Sequence, residues 1–130
     1  MKVWVKIREI ENCPPDTRSK YGKYYVSRTK LGGEPPSDLT YDLKSRFEKG
    51  IKLKPAQNEC CHYGISMTDS MEAAEALMKN FPPIINMAQI EITEDSGIIS
   101  PTLKKYHHTW WPYDHCDRAS LVVKDGVFNT

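Results

Sequence analysis

Residues 106–116 read Tyr-His-His-Thr-Trp-Trp-Pro-Tyr-Asp-His-Cys, and the Trp110–Trp111 pair inside them constrains the fold more than any other feature. On an extended chain successive side chains point to opposite faces, so only one of the two indoles can enter a core beneath the strand. The other needs a helix, a loop or a partner laid over it. The same stretch holds three of the four histidines, two of the three tryptophans and one of the four cysteines. These side chains bury large area around a polar tip, and imidazole and thiolate are common metal and proton-transfer groups.

Punctuation by Pro and Gly divides the rest. Val3, Val5 and Ile7 alternate with Trp4, Lys6 and Arg8, a period-two pattern that predicts a first strand, broken at Cys13-Pro14-Pro15-Asp16. Residues 23–30 have the β-branched and aromatic content of a second strand, and Gly32-Gly33 and Pro35-Pro36 enforce a loop. Leu39, Leu43 and Phe47 then share one helical face. With Ser37 as N-cap, Asp38 and Asp42 near the start and Gly50 as the stop, they predict a helix over 38–49.

Residues 61–67 read as a short strand entering a second helix over 69–80, with Met71, Ala74, Leu77 and Met78 as its apolar stripe and Asp69-x-x-Glu72 at capping-box spacing. Residues 87–93 alternate as a strand, Glu94-Asp-Ser-Gly97 turns, and Ile98-Ile99 returns, which predicts a hairpin. Residues 119–124 read as a last core strand, and Asp125-Gly126 turns into a short Val127-Phe128 tail. The fold expected is α+β: a curved, mostly antiparallel sheet of about six strands with two short helices, in one globular domain over residues 1–130.

The N-terminus offers no signal-peptide core, and no apolar run approaches the ~20 residues that span a bilayer. A cytoplasmic location and free thiols on all four cysteines follow as the default expectation, with no membrane partner. The net charge of +1 hides an asymmetry: residues 1–57 carry 13 Lys/Arg against 7 Asp/Glu, and residues 58–130 carry 5 against 10. Lys20, Lys23, Arg28 and Lys30 interleave with Tyr21, Tyr24 and Tyr25, a mixture able to meet phosphates and stack bases. The pI of about 7.7 lies far below the footprint of a nucleic-acid-binding domain, so nucleic acid is a minor reading.

Cys60, Cys61 and His62 together with His107, His108, His115 and Cys116 form a candidate set for tetrahedral zinc. The spacing opposes it. There is no C-x₂-C, H-x₃-H or H-E-x-x-H, and adjacent pairs point apart on an extended chain. Metal binding is therefore a third reading, and no residue is assigned as a metal ligand. No nucleophile elbow is present either.

Gly64-Ile-Ser-Met-Thr-Asp-Ser70, followed by the Ala-rich Met71-Glu-Ala-Ala-Glu-Ala-Leu77, resembles the central segment of ADP-ribosyltransferase-like domains, in which a strand with a small polar residue leads into a helix flanking the nicotinamide pocket. The resemblance covers roughly 40 residues. It implies an enzyme, or a degenerate relative of one, that uses NAD. Tyr25-x-x-Arg28 would stand in place of the family's early Arg or His strand, and Ser66 and Thr68 at the polar strand position. A late acid, Asp114 or Asp117, would replace the catalytic Glu. On that resemblance the catalytic candidates are Arg28, Ser66 and Asp117. The chain departs from the family at the late Glu, since residues 119–123 carry no acid.

The first expectation for function is different. The aromatic segment, with the facing Cys60–Ser66 region, suits a small accessory or inhibitor-type module that occludes a protein partner without a cofactor. Tyr63, His107, His108, Trp110, Trp111, Tyr113 and His115 are its candidate binding residues. The NAD-using enzyme is the alternative.

Overall fold

The computed structural model describes residues 2–29 and 39–126. Lys30, the Gly32-Gly33 and Pro35-Pro36 loop, the Ser37 cap, Asp38 and the Val127-Phe128 tail lie outside the described residues. Among the described residues six strands form: β1 (Gly22–Thr29), β2 (Ile65–Thr68), β3 (Ile84–Ile92), β4 (Gly97–Pro101), β5 (His107–Pro112) and β6 (Val122–Asp125). Three short helices accompany them, α1 (Val5–Arg8), α2 (Glu59–His62) and α3 (Met71–Asn80). The strands make one open sheet in the order β4-β5-β2-β1-β3-β6, and every adjacent pair is antiparallel. This is the curved α+β architecture expected.

The connections show how strongly the sheet curls. β3 is fifth in the order and β4 is first, a separation of about 19 Å in a flat sheet. Only residues 93–96 join them, and they are folded back on themselves: the Ser96 N–H donates to the Thr93 carbonyl at 3.1 Å, and the Thr93 N–H to Ser96 Oγ at 2.7 Å. A turn this tight requires the two ends of the sheet to roll toward each other. The expected hairpin between residues 87–93 and 98–99 is therefore corrected. The turn is real, but β4 pairs with β5.

A seam divides the sheet. β1 and β3 pair from Gly22↔Ile92 to Thr29↔Ile84, whereas β1 and β2 meet only at Tyr25↔Thr68. Residues 39–50 lie across this seam. Asp42 contacts Arg28 and Thr29 on β1, Leu43 enters the core, and the Phe47 N–H donates to the His62 carbonyl just ahead of β2.

The inner face buries Tyr24, Val26, Ile65, Met67, Ile90, Ile92, Ile99 and Trp110 together. On the other face α3 covers Tyr25 and Met87 with Ala74. The N-terminal segment covers Trp111 with Val3, Ile7 and Cys13. Both adjacent indoles are thus fully buried, one on each side of β5.

Several local expectations are overturned. Residues 3–8 are not a strand: Val5–Arg8 is one helical turn, because Val3 and Ile7, four apart, both reach Trp111 while Val5 faces solvent. Of the helix expected over 38–49, the described part, residues 39–49, is not helical. From residue 39 onward the chain runs as consecutive turns, with a break at Ser45. There Ser45 Oγ accepts from the Glu48 N–H at 3.1 Å and the Glu48 carboxylate accepts from the Ser45 N–H at 2.8 Å, a reciprocal cap that starts a new turn. The cap of α3 is Ser70, whose Oγ accepts from the Ala73 N–H at 3.1 Å, and not Asp69. The cysteines are not all free: Cys13 and Cys60 form a disulfide that ties the N-terminal segment to α2, leaving Cys61 and Cys116 as thiols.

Candidate functional site

The candidate binding residues go to four different places. Trp110 and Trp111 are wholly buried, Nε1 of the first donating to the Ser96 carbonyl at 3.3 Å and that of the second to the Cys60 carbonyl at 2.9 Å. Neither indole is available to anchor a partner. Tyr63 stacks on Phe47 with centroids 4.7 Å apart and lies 5.9 Å from Trp4, while Tyr113 packs on the N-terminal cluster and stacks with the exposed His115. His108 turns toward Ser19 and Asp69. Only His107 opens onto a groove beside α3.

Arg28, Ser66 and Asp117 do not converge, and strand parity is the reason. Tyr24 and Val26 face the inner core, so Arg28 shares their side of β1. Ser66 sits between the core residues Ile65 and Met67 and faces the opposite way. Arg28, 3% exposed, is held through its guanidinium by Asp42 at 3.3 Å and by Asp125. Burial pushes the Asp42 carboxyl up, against the Thr29 N–H and the Arg28 guanidinium, which pull it down. Asp117 lies exposed ahead of a 3-10 turn at Arg118–Leu121.

The histidines and cysteines are likewise dispersed. Cys60 is consumed by its bridge to Cys13, and among the described residues no three His, Cys, Asp or Glu side chains are placed to hold a metal ion. The tyrosines considered for base stacking are mostly buried: Tyr24 and Tyr25 belong to the core, and only Tyr21 is exposed.

The groove beside α3 has the properties of a ligand site. Its cavity of about 360 Å³ is lined by α3 on one side and by the loop between β4 and β5 on the other. Small residues of α3, Ala73 and Ala76, leave room above Leu77, and Thr68 from β2 and His107 from β5 form the inner end. Lys104 and Lys105 stand at the mouth with Tyr106, which is 45% exposed. Thr68 Oγ1 is buried with no hydrogen-bond partner. An unpaired buried hydroxyl costs roughly 1–3 kcal/mol, which a ligand group able to bond it would recover.

The loop carries strain. Leu103 and Tyr106 adopt positive φ of 60° and 68°, costly for residues with a Cβ. Backbone bonds over-determine it: His107 N–H to the Lys104 carbonyl at 3.1 Å, Thr102 N–H to the His107 carbonyl at 3.1 Å, and Asp69 N–H to the Tyr106 carbonyl at 3.2 Å. The outcome is a fixed platform presenting Tyr106 and two ammonium groups beside an apolar slot.

His107 enters this site neutral. Burial depresses its pKa, the neighbouring His108 and Lys104 add to the effect, and the Thr102 carbonyl opposes it. Nδ1 lies 3.2 Å from the Thr102 carbonyl and 2.9 Å from Thr102 Oγ1. Facing a carbonyl, Nδ1 carries the hydrogen, which leaves Nε2 as an acceptor.

No protein-family model matches the chain, and neither a curated protein nor a solved structure does. The site is therefore described by its own chemistry. Sequence inspection missed the platform itself. Its signal was modest, the Lys104-Lys105-Tyr106 run directly ahead of the aromatic strand. The unpaired state of Thr68 depends on packing and has no sequence signal.

Proposed function

We propose that the chain binds a nicotinamide-nucleotide type of ligand in the α3 groove, as a relative of ADP-ribosyltransferase-like domains that does not perform the transfer. The observation that carries this is the groove's position and content. It flanks the helix that the sequence resemblance associates with a nicotinamide pocket, and at its end stands a buried Thr68 hydroxyl with no partner. A planar ring fits the slot over Ala73, Ala76 and Leu77, its carboxamide meets Thr68, and phosphates meet Lys104 and Lys105 at the mouth. Against transfer chemistry, the buried Arg28 is already engaged by Asp42 and Asp125 and faces away from Ser66.

Calorimetric titration with NAD and with nicotinamide mononucleotide tests this. Saturable binding is expected, weakened about fivefold in Thr68→Val for one lost hydrogen bond and abolished in Ala73→Trp, which fills the slot. Absence of saturable binding, or binding indifferent to Ala73→Trp, overturns the proposal.

A second reading retains the protein partner. Phe81 (51% exposed) and Tyr106 form an apolar rim around the same groove, a surface suited to an apolar side chain of another protein. On this reading the anchor comes from the partner and the groove receives it, with no cofactor. Among the described residues no helix is long and apolar enough to cross a membrane. In the cytoplasmic setting expected, Cys13 and Cys60 would stand as thiols for much of the time, with Val3 and Ile7 still packed on Trp111.

A further inference from the structure

Ser19, His108 and Asp69 come from three separate parts of the chain and meet at hydrogen-bond distance. Ser19 Oγ is 2.6 Å from His108 Nδ1, and His108 Nε2 is 2.6 Å from Asp69 Oδ2. We infer that this cluster, independent of the α3 groove, is an acyl-transfer site in which Ser19 is the nucleophile, His108 its general base and Asp69 the residue that positions the base.

The tautomer follows from the partners. An ionised carboxylate only accepts, so the Nε2 that faces Asp69 carries the hydrogen. In the neutral imidazole Nδ1 is then a lone pair, and it faces the Ser19 hydroxyl. Ser19 donates to it, the arrangement that lets a base remove the hydroxyl proton as Oγ attacks. The ring is used the opposite way round from the serine-protease relay, with the roles of its two nitrogens exchanged.

Backbone contacts hold the segments that carry the three side chains, and Ser19 also shares a side-chain hydrogen bond with Tyr24. Ser70, not Asp69, caps α3. The Ser19 loop is held by its own backbone, through the Ser19 N–H to the Ile99 carbonyl at 2.8 Å and through the Tyr24 hydroxyl to the Lys20 carbonyl. His108 is fixed by β5 pairing opposite Met67 and by the edge of the Tyr24 ring, 5.0 Å away. The result is rigid yet reachable: Ser19 is half-buried, and the side chains of His108 and Asp69 are 12% and 35% exposed. Arg18 and Lys20, both exposed, are the chain neighbours of Ser19.

The class of substrate is a small carboxylic ester. Ser19 Oγ bonds to the acyl carbon while its proton passes to His108 Nδ1. The ester C–O bond breaks, and the leaving oxygen takes that proton. Water then loses a proton to Nδ1 and attacks the acyl carbon, the Oγ–acyl bond breaks, and the proton on Nδ1 returns to Oγ, releasing the acid and restoring Ser19 and neutral His108. Overall one ester and one water give one acid and one alcohol.

p-Nitrophenyl acetate is the probe, read by release of p-nitrophenol and by peptide mass spectrometry of the full chain. The expected result is acetyl on Ser19, lost in Ser19→Ala and transferred to the introduced thiol in Ser19→Cys. His108→Gln slows acylation about a hundredfold. Asp69→Asn does the same at unchanged melting temperature, because an amide can donate to Nε2 and leave the hydrogen on Nδ1. Asp69→Glu, which puts a carboxylate acceptor back beside Nε2, recovers part of the rate that Asp69→Asn loses, a rescue that a merely structural role does not require. Acetyl found only on lysines, or release undiminished in Ser19→Ala, overturns the inference.

Discussion

Trp110 and Trp111 are neighbours in the chain and are buried on opposite sides of the same strand, the first inside the curled sheet and the second under the N-terminal turn. Each indole N–H is satisfied by a carbonyl of a different segment, Ser96 for one and Cys60 for the other. The pair therefore fastens three layers. Trp110→Ala and Trp111→Ala should each lower unfolding free energy by about 3–5 kcal/mol, measured by urea denaturation. A loss below about 1 kcal/mol for either would mean that indole is not in a core.

Gly97 opens β4 where the sheet rolls back toward β5. Its φ is +147°, and a Cβ there would come within 2.3 Å of the Trp111 carbonyl oxygen. Backbone cannot move aside as a flexible side chain can. Gly97→Ala should cost about 2–3 kcal/mol in the same denaturation assay, and a neutral substitution would refute the close approach.

The Cys13–Cys60 bridge encloses most of the segment between the N-terminal turn and α2. Oxidised protein unfolded without reductant should titrate two thiols, Cys61 and Cys116, and reduced protein all four. Cys60→Ser should destabilise the oxidised form by roughly 2–4 kcal/mol. Four thiols without reductant would show that the bridge does not form.

Much of this was legible in the sequence, and the failures share a cause. α3 and β3 stand out because their periodic residues face one layer, Ala74 against the sheet and Ile90 and Ile92 into the core. Val3, Val5 and Ile7 satisfy period two as a pattern, yet a contact four residues apart on one indole decided the outcome. Leu39, Leu43 and Phe47 look helical, but Asp42 is drawn to Arg28 from 14 positions away and Ser45 restarts the turn. Arg28 and Ser66 failed as a pair because the parity of each strand is fixed by which neighbours it buries. Ser19 and His108 are 89 residues apart, and no local pattern announces such a meeting.

Arg118 grips the turn that Ser45 begins, through two bonds of 2.8 and 3.0 Å to Glu48. Burial pushes the Glu48 carboxyl up, but the Arg118 guanidinium and the Ser45 N–H outweigh it and hold the pKa below its ordinary 4.5. A depressed folded pKa gives stability that is fully present above the unfolded value and is lost as pH falls through the folded one. With the carboxylate partly exposed, the contribution is at most ~1 kcal/mol. Stability measured downward from pH 5 should fall less steeply in Arg118→Ala than in the wild type, and identical slopes would contradict the pairing.

The central claim is that the α3 groove receives a nicotinamide-nucleotide ligand, and amide chemical shifts during a titration with nicotinamide mononucleotide test it most directly. The prediction is saturable shifts concentrated at Thr68, Ala73, Ala76, Leu77, Tyr106 and His107, with the amides around Arg28 unmoved. Shifts that never saturate, or that gather away from α3, would contradict it.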